Sequence, residues 1–321
     1  MGKEIVAKKG IDTNKLKHAD WLEYRKKGLG GSDIAAAIGF SPWKSQYELY
    51  LEKKGLTEPT FSDEAKERMD IGKKIEDFIV SLFQEKHPEF TIELHPWIYH
   101  HVAVDWAIAN IDRILYSKES RGILEIKNVG EMSSWSNDWK NDEIPFYYMA
   151  QIQHYMFVSN LDWAYLACLV GGNKYRDYHI KRDDELITLI ESQAGEFWSM
   201  VESGQEPPVD GLKSTSNKLA ERYPGKPIGQ TKDLSHHILE INRLKHAKNC
   251  FDEAEAELEL HKNHIKRLLE NADTAIVNGQ KMITWKTQSK ENIDSKRLKV
   301  EHPDIVKNYI NKSESRVFKI L

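Results

Sequence analysis

The chain has 321 residues, with 46 Lys and Arg against 50 Asp and Glu, a formal charge of −4. That length supports a sizeable core in one or two domains, and 30% charged residues exclude a chain embedded in lipid. The acidic balance argues against a protein that coats a polyanion, but it leaves room for an enzyme with a local basic channel.

The opening ten residues, MGKEIVAKKG, lack an apolar signal core, and nothing reaches transmembrane length. Residues 20–56 predict a helix, a glycine turn and two further helical runs. Asp20 is the expected N-cap of the first, and Gly28, Gly30 and Gly31 break it. Ser32 is the expected cap of a run from Asp33 to Ile38, and Ser45 caps a run that stops at Gly55. A long helix is expected over 63–86. Residues 91–128 predict strands in TIELHPWIYH, WAIANIDRILY and GILEIKN, the last two joined by SKESRG as a hairpin-like connection.

Pro145 opens an apolar helix, PFYYMAQIQHYMFVSN. A strand pair follows, turning at Gly171-Gly172-Asn173, and then a helix from Asp184 to Val201. SGQEPPVDG predicts a loop. Beyond it, 233–272 predict a long, highly charged helix, TAIVNGQKMITWK a hairpin turning at Asn278-Gly279, and SRVFKIL a closing strand. The expected fold class is α/β: a central mixed β-sheet flanked by helices, with a mainly helical C-terminal extension. The expected domains are 1–210 and 211–321.

Within GILEIKN, Glu125 and Lys127 lie two apart in a strand and share a face. Asp112 lies in AIANIDRIL across the hairpin, so strand pairing brings a second carboxylate toward Glu125. Two close carboxylates repel, which a cation between them relieves. Glu76 lies on the helical face of Gly72, Ile79 and Phe83, a side expected to be buried. Carboxylate oxygens suit Mg2+, which keeps waters for substrate phosphates. Glu76, Asp112, Glu125 and the Ile126 carbonyl would form such a site, with Lys127 handling a water. This chemistry points to a metal-dependent hydrolase, with phosphodiesters as candidate substrates.

The order Glu76, Asp112 in IDRIL, and Glu125-Ile126-Lys127 in LEIKN resembles the PD-(D/E)xK nuclease superfamily, with Ile111-Asp112 in place of its Pro-Asp. YRKKGLGGSDIAAAIGFSPWKSQYELYLEKKG resembles the opening of the YqaJ-like phage recombinases, relatives of lambda exonuclease. QIQHY resembles the Gln-xxx-Tyr motif of RecB-type members, with Gln151 and Tyr155 on one helix face. The resemblance covers about 18–205. It implies a PD-(D/E)xK core and an Mg2+-dependent 5'-to-3' exonuclease, with Mn2+ as a substitute. Such enzymes act on linear double-stranded DNA ends and leave 3' overhangs for a single-strand annealing protein. It also implies a trimeric ring, a phage or prophage origin and the cytoplasm of a bacterial host.

By the same resemblance Arg25 and Ser32 hold the terminal 5'-phosphate, which suits a guanidinium and a helix start after glycines. GLGGSD lacks the Gly-Lys-Ser/Thr ending of a nucleotide loop, so no nucleotide is expected. The two cysteines, Cys168 and Cys250, form no CxxC or iron–sulfur spacing, and they fit a reducing cytoplasm. Trp43, Trp135 and Trp139 are candidates for stacking on unpaired bases, with packing the commoner role of such residues. The alternatives are a nicking or restriction-type endonuclease on the same core, a DNA-binding module with a dead core, and a structural protein built on the long helix.

Overall fold

The computed structural model describes residues 5–58, 63–130, 143–225, 229–310 and 316–320. The chain separates into two compact units, Met1–Arg222 and Tyr223–Leu321. The division lies beyond the 210/211 boundary expected from sequence. The helix Lys213–Arg222 packs on the first unit, where Arg222 Nη1 donates to Tyr47 Oη at 2.7 Å.

In the first unit, β1 (Ala7–Asp12) leads to helices α1 (His18–Arg25), α2 (Gly31–Ala37), α3 (Gln46–Lys53) and α4 (Asp63–Lys86). Five strands follow: β2 (Thr91–Leu94), β3 (Trp97–His101), β4 (Ile108–Asn110), β5 (Arg113–Tyr116) and β6 (Arg121–Val129). Helix α5 (Phe146–Ser159), strands β7 (Trp163–Val170) and β8 (Lys174–Lys181), and helices α6 (Asp184–Ser203) and α7 (Lys213–Arg222) complete it. A five-stranded sheet runs β2-β5-β6-β7-β8 and a smaller sheet β1-β3-β4. Among the described strands only β6 and β7 pair in parallel, and α5 lies between them in sequence, as a parallel pair requires.

Two expected strands divide. TIELHPWIYH breaks at His95-Pro96 because proline offers no N–H to a ladder, and its halves enter different sheets. WAIANIDRILY breaks at Ile111-Asp112: β4 pairs with β3, and β5 pairs with β2 and β6. The helix starts also shift. Lys17, not Asp20, precedes α1. Gly30, not Ser32, precedes α2, and Asp33 accepts from the Gly30 N–H at 3.1 Å. Ser45 does cap α3, accepting from Glu48 N at 3.0 Å.

Alternation in β6 sorts its side chains onto two cores. Ile123 and Val129 face α5, with Ile152, Tyr155 and Met156. Leu124 and Ile126 face α4, with Ile79 and Phe83. Glu125 and Lys127, in phase with Ile123, therefore point toward α5.

The second unit contains α8 (Ile238–Leu269), the hairpin β9 (Thr274–Val277) and β10 (Gln280–Thr284), and short helices α9 (Ser295–Glu301) and α10 (Pro303–Lys307). The hairpin turns at Asn278 and Gly279, both with positive φ. Arg316–Ile320 is not a strand, contrary to the expected closing strand. Among the described residues no helix is long and apolar enough to cross a membrane.

Candidate active site

Glu125 is 1% exposed on the α5-facing side of β6. Its Oε1 accepts from Lys127 Nζ and from Gln151 Nε2, the latter at 2.6 Å. Gln151 Nε2 also donates to Tyr155 Oη at 3.0 Å, one turn further along α5. Asp112, at the break between β4 and β5, accepts from the Ile126 N–H through Oδ2 at 3.0 Å. The strand break thus turns a residue that would have been in the ladder toward the middle of β6.

Glu125 Oε2 is buried and has no hydrogen-bond partner among the described residues. Burial first, and then the Asp112 carboxylate, push the Glu125 carboxyl up to about 8. Burial works against the Lys127 charge, but Glu125 and Asp112 outweigh it and hold the ammonium above its ordinary value. Tyr148 lies 5.4 Å from Lys127 Nζ, ring to cation.

A second group comes from the glycine turn. Arg25 Nη2 donates to Ser32 Oγ at 2.7 Å and to Asp33 Oδ1 at 2.8 Å, and the guanidinium lies 4.8 Å from the Trp21 ring. Asp33 is buried and also accepts from Lys53 Nζ at 2.8 Å. Lys53 Nζ further donates to the Arg25 and Gly28 carbonyls, both at 2.7 Å. Burial opposes the Asp33 charge, yet Arg25 and Lys53 together hold its carboxyl far below the usual range. The carboxylate is therefore a fixed anion that orients Arg25.

Two glycines allow the turn to sit where it does. A Cβ on Gly28 would lie 2.5 Å from the Trp106 carbonyl oxygen. A Cβ on Gly31 would lie 2.4 Å from Tyr155 Cε1 and 2.9 Å from Gln151 Cγ, so α2 rests directly on Gln151, which bonds Glu125, and on its partner Tyr155.

One cavity of about 150 Å³ is lined by Arg25 and Ser32 together with Asp112, Glu125, Lys127, Gln151 and Tyr155. Of the eight residues expected to act by side chain in catalysis, metal binding or 5'-phosphate binding, seven thus meet in one space. Glu76 does not line it. It is half-buried rather than buried, near the middle of α4, one turn before Ile79, where the helix begins to pack on the opposite face of β6. Burial and Asp112 nonetheless raise its carboxyl, and Lys127 lowers it, so Glu76 lies within electrostatic reach of both.

Among the described residues no three His, Cys, Asp or Glu side chains converge closely enough to hold a metal ion. The pair Asp112–Glu125 still suits a hard cation. Both offer oxygen, and the unpartnered Glu125 Oε2 needs a positive partner that Lys127 and Gln151, both on Oε1, do not give it.

Sequence reasoning missed Asp33, Lys53 and Trp21. Asp33, two residues past Gly31, carried a weak local signal as an acid in a first turn. Lys53 had none, because its partner is 20 residues away. Trp43 is 46% exposed and edge-on to Tyr147, with ring centroids 4.5 Å apart. Trp135 and Trp139 lie outside the described residues.

Fold and site together define a mixed-sheet α/β protein with two carboxylates and a lysine at an opened strand pair, facing an arginine–serine pair. Residues 20–162 match the YqaJ-like viral recombinase domain. The chain is 30% identical to the uncharacterised protein YqaJ of Bacillus subtilis (strain 168) over 321 residues, 99% of this chain and 97% of that one. The chain belongs to the YqaJ family. Two solved structures are also similar. The alkaline exonuclease LHK-Exo of Laribacter hongkongensis is 20% identical with a TM-score of 0.47, covering 63% of this chain and 100% of that one. A phage-related exonuclease from Haemophilus somnus 129PT is 15% identical with a TM-score of 0.39, covering 55% and 96%.

Proposed function

We propose that this protein is a metal-dependent nuclease that degrades linear double-stranded DNA from its ends, 5' to 3', leaving 3' overhangs for recombination. The observation that carries this is the shared cavity: an anion-binding Arg25–Ser32 pair opens onto the same space as Asp112, Glu125 and Lys127. A site for a terminal phosphate next to the hydrolytic group serves an enzyme that begins at an end. Membership of a viral recombinase family supports the recombination role.

Mg2+, or Mn2+ in its place, held by Asp112, Glu125 and the Ile126 carbonyl with Glu76 as a further carboxylate, would supply an activated water and charge relief on the leaving oxygen. Lys127 holds and polarises that water from the same face of β6. Gln151 fixes the Glu125 carboxylate and ties Tyr155 to it. Arg25, stacked on Trp21 and anchored by Asp33, binds the 5'-phosphate. Both of its described bonds leave from Nη2, so Nη1 and Nε remain for the ligand. The partners are duplex DNA ends, a single-strand annealing protein and further copies of the chain in a ring, in the cytoplasm of a bacterial host.

The test is incubation with Mg2+ and linear duplexes bearing 5'-phosphate or 5'-hydroxyl ends, beside a closed circle, with EDTA and Glu125→Ala as controls. Loss of the phosphorylated 5' strand with the circle intact is the expected result. Arg25→Gln and Ser32→Ala then remove the preference for 5'-phosphate. Cutting of the circle would make the protein an endonuclease, and no cleavage with either metal would leave a DNA-binding module.

A further inference from the structure

Helix α8 carries a heptad seam that is largely exposed, with Ile265 alone of its a positions half-buried. Leu244, Phe251, Leu258 and Ile265 recur every seven residues, and Ala247, Ala254, His261 and Leu268 follow each by three. This is the a/d spacing of a coiled coil, held over four heptads. Leu244, Phe251, Leu258 and Leu268 are each 40–76% exposed, and Leu269 is the one buried residue recorded in the helix. Four large apolar side chains on one stripe of a largely polar helix, left in water, mark an interface, although Leu239 and Leu260 are exposed off that stripe.

We infer that α8 pairs antiparallel with α8 of a second copy of this chain. The composition of the seam picks the occupant. The a positions are large and the first two d positions are alanine. An antiparallel pair sets a against d, so Phe251 meets Ala254 of the second copy and Leu258 meets its Ala247, large against small throughout the centre. A parallel pair would set Phe251 on Phe251 and Ala254 on Ala254, alternately crowded and loose. It would also place Arg243 opposite Lys248 of the second copy, at neighbouring g and e positions.

Charge then fixes the register. In the antiparallel arrangement e positions face e positions, and they hold Lys248, Glu255 and Lys262. The register that joins Phe251 to Ala254 sets Lys248 against Glu255 of the second copy, twice by symmetry. A slip of one heptad either way sets Lys248 against Lys248, or Lys248 against Lys262 with Glu255 against Glu255. This register satisfies the size pattern and the e-position charges across the central layers, Leu244 with His261, Phe251 with Ala254 and Leu258 with Ala247, and leaves Ile265 and Leu268 beyond them.

Sedimentation of the full-length protein at tens of micromolar tests the pairing. The expected mass is an even multiple of the chain, halved by Phe251→Glu with Leu258→Glu. Lys248→Glu weakens the pairing by roughly tenfold, and adding Glu255→Lys restores it. In a Cys250→Ser background, oxidised Leu244→Cys with His261→Cys gives a cross-linked dimer, while Leu244→Cys alone does not. A monomer at these concentrations, or a mass that Phe251→Glu with Leu258→Glu leaves unchanged, overturns the inference. Cross-linking by Leu244→Cys alone, or a charge swap that fails to restore pairing, overturns the antiparallel register.

Discussion

The two units of the chain break opposite rules of protein interiors. The first unit buries charge: Glu125 is 1% exposed, and Asp33 and Lys53 form an ion pair with side chains 5% and 4% exposed. The second unit exposes apolar surface: Phe251 is 62% and Leu268 76% exposed. Burying an ion costs several kcal/mol unless it is paired, so a chain keeps such a group where its chemistry needs it. Exposed apolar surface costs affinity for water and is kept where a partner covers it. The proposed active site accounts for the first departure, and the inferred α8 pairing for the second.

The sharpest way to break this comparison is at Glu125. If its burial serves chemistry, Glu125→Ala abolishes hydrolysis, with a loss of at least about a thousandfold in rate at saturating Mg2+. Lys127→Ala gives a comparable loss. A variant that retains the wild-type rate would make the cluster a structural ion pair.

At Lys53 the expected loss is one of stability. Lys53→Met leaves the Asp33 carboxylate with Arg25 alone and frees the Arg25 and Gly28 carbonyls, at a cost of about 3 kcal/mol. Denaturant unfolding reads it directly. Because Asp33 orients Arg25, the discrimination between 5'-phosphate and 5'-hydroxyl ends falls as well. Unchanged stability would show that Arg25 by itself compensates Asp33.

His154 gives the pH dependence of the same buried layer. Its Nε2 faces the Ile108 carbonyl at 3.0 Å, and burial lowers its pKa from the ordinary 6.5 to about 4. The folded state therefore binds fewer protons than the unfolded state between those values, and stability rises with pH across that window. The contribution is complete above 6.5 and lost as pH falls to 4, about 3 kcal/mol in all. Unfolding curves measured across that range should show the slope, and His154→Gln should flatten it. An equal slope in both proteins would assign the acid sensitivity to other groups, among them His95, His100, His101 and His179, whose pKa burial also lowers.

Much of the site was legible because its signals are local. Glu125 and Lys127 share a strand face by period two, Gln151 and Tyr155 a helix face by spacing four, and Arg25 and Ser32 flank one glycine turn. What sequence could not give depends on distant pairing. The division of WAIANIDRILY at Ile111-Asp112 follows from β4 and β5 joining different sheets, and that choice is made by β3, β2 and β6. The Asp33–Lys53 pair joins two helices that share no pattern. Glu76 shows the limit of local regularity: its neighbours Ile79 and Phe83 are buried against Leu124 and Ile126, on the face of β6 that Glu125 leaves, while Asp112 and Lys127 still act on its carboxyl.

The smallest expected effect sharpens the comparison most. Phe197 is 1% exposed in the first unit and Phe251 62% exposed in the second. Phe197→Ala should cost about 3–5 kcal/mol at any protein concentration, since it leaves a cavity in a packed core. Phe251→Ala in dilute protein should stay within about 0.5 kcal/mol of wild type, because the ring is already in water. A partner that covers Phe251 stabilises the folded chain by mass action, so the wild type should gain stability with concentration and the variant should not. Melting curves at two well-separated concentrations therefore separate a ring kept for association from one that is merely exposed. A concentration-independent Phe251→Ala difference would place that ring in the fold of its own unit, and the contrast between the two units would narrow to buried charge alone.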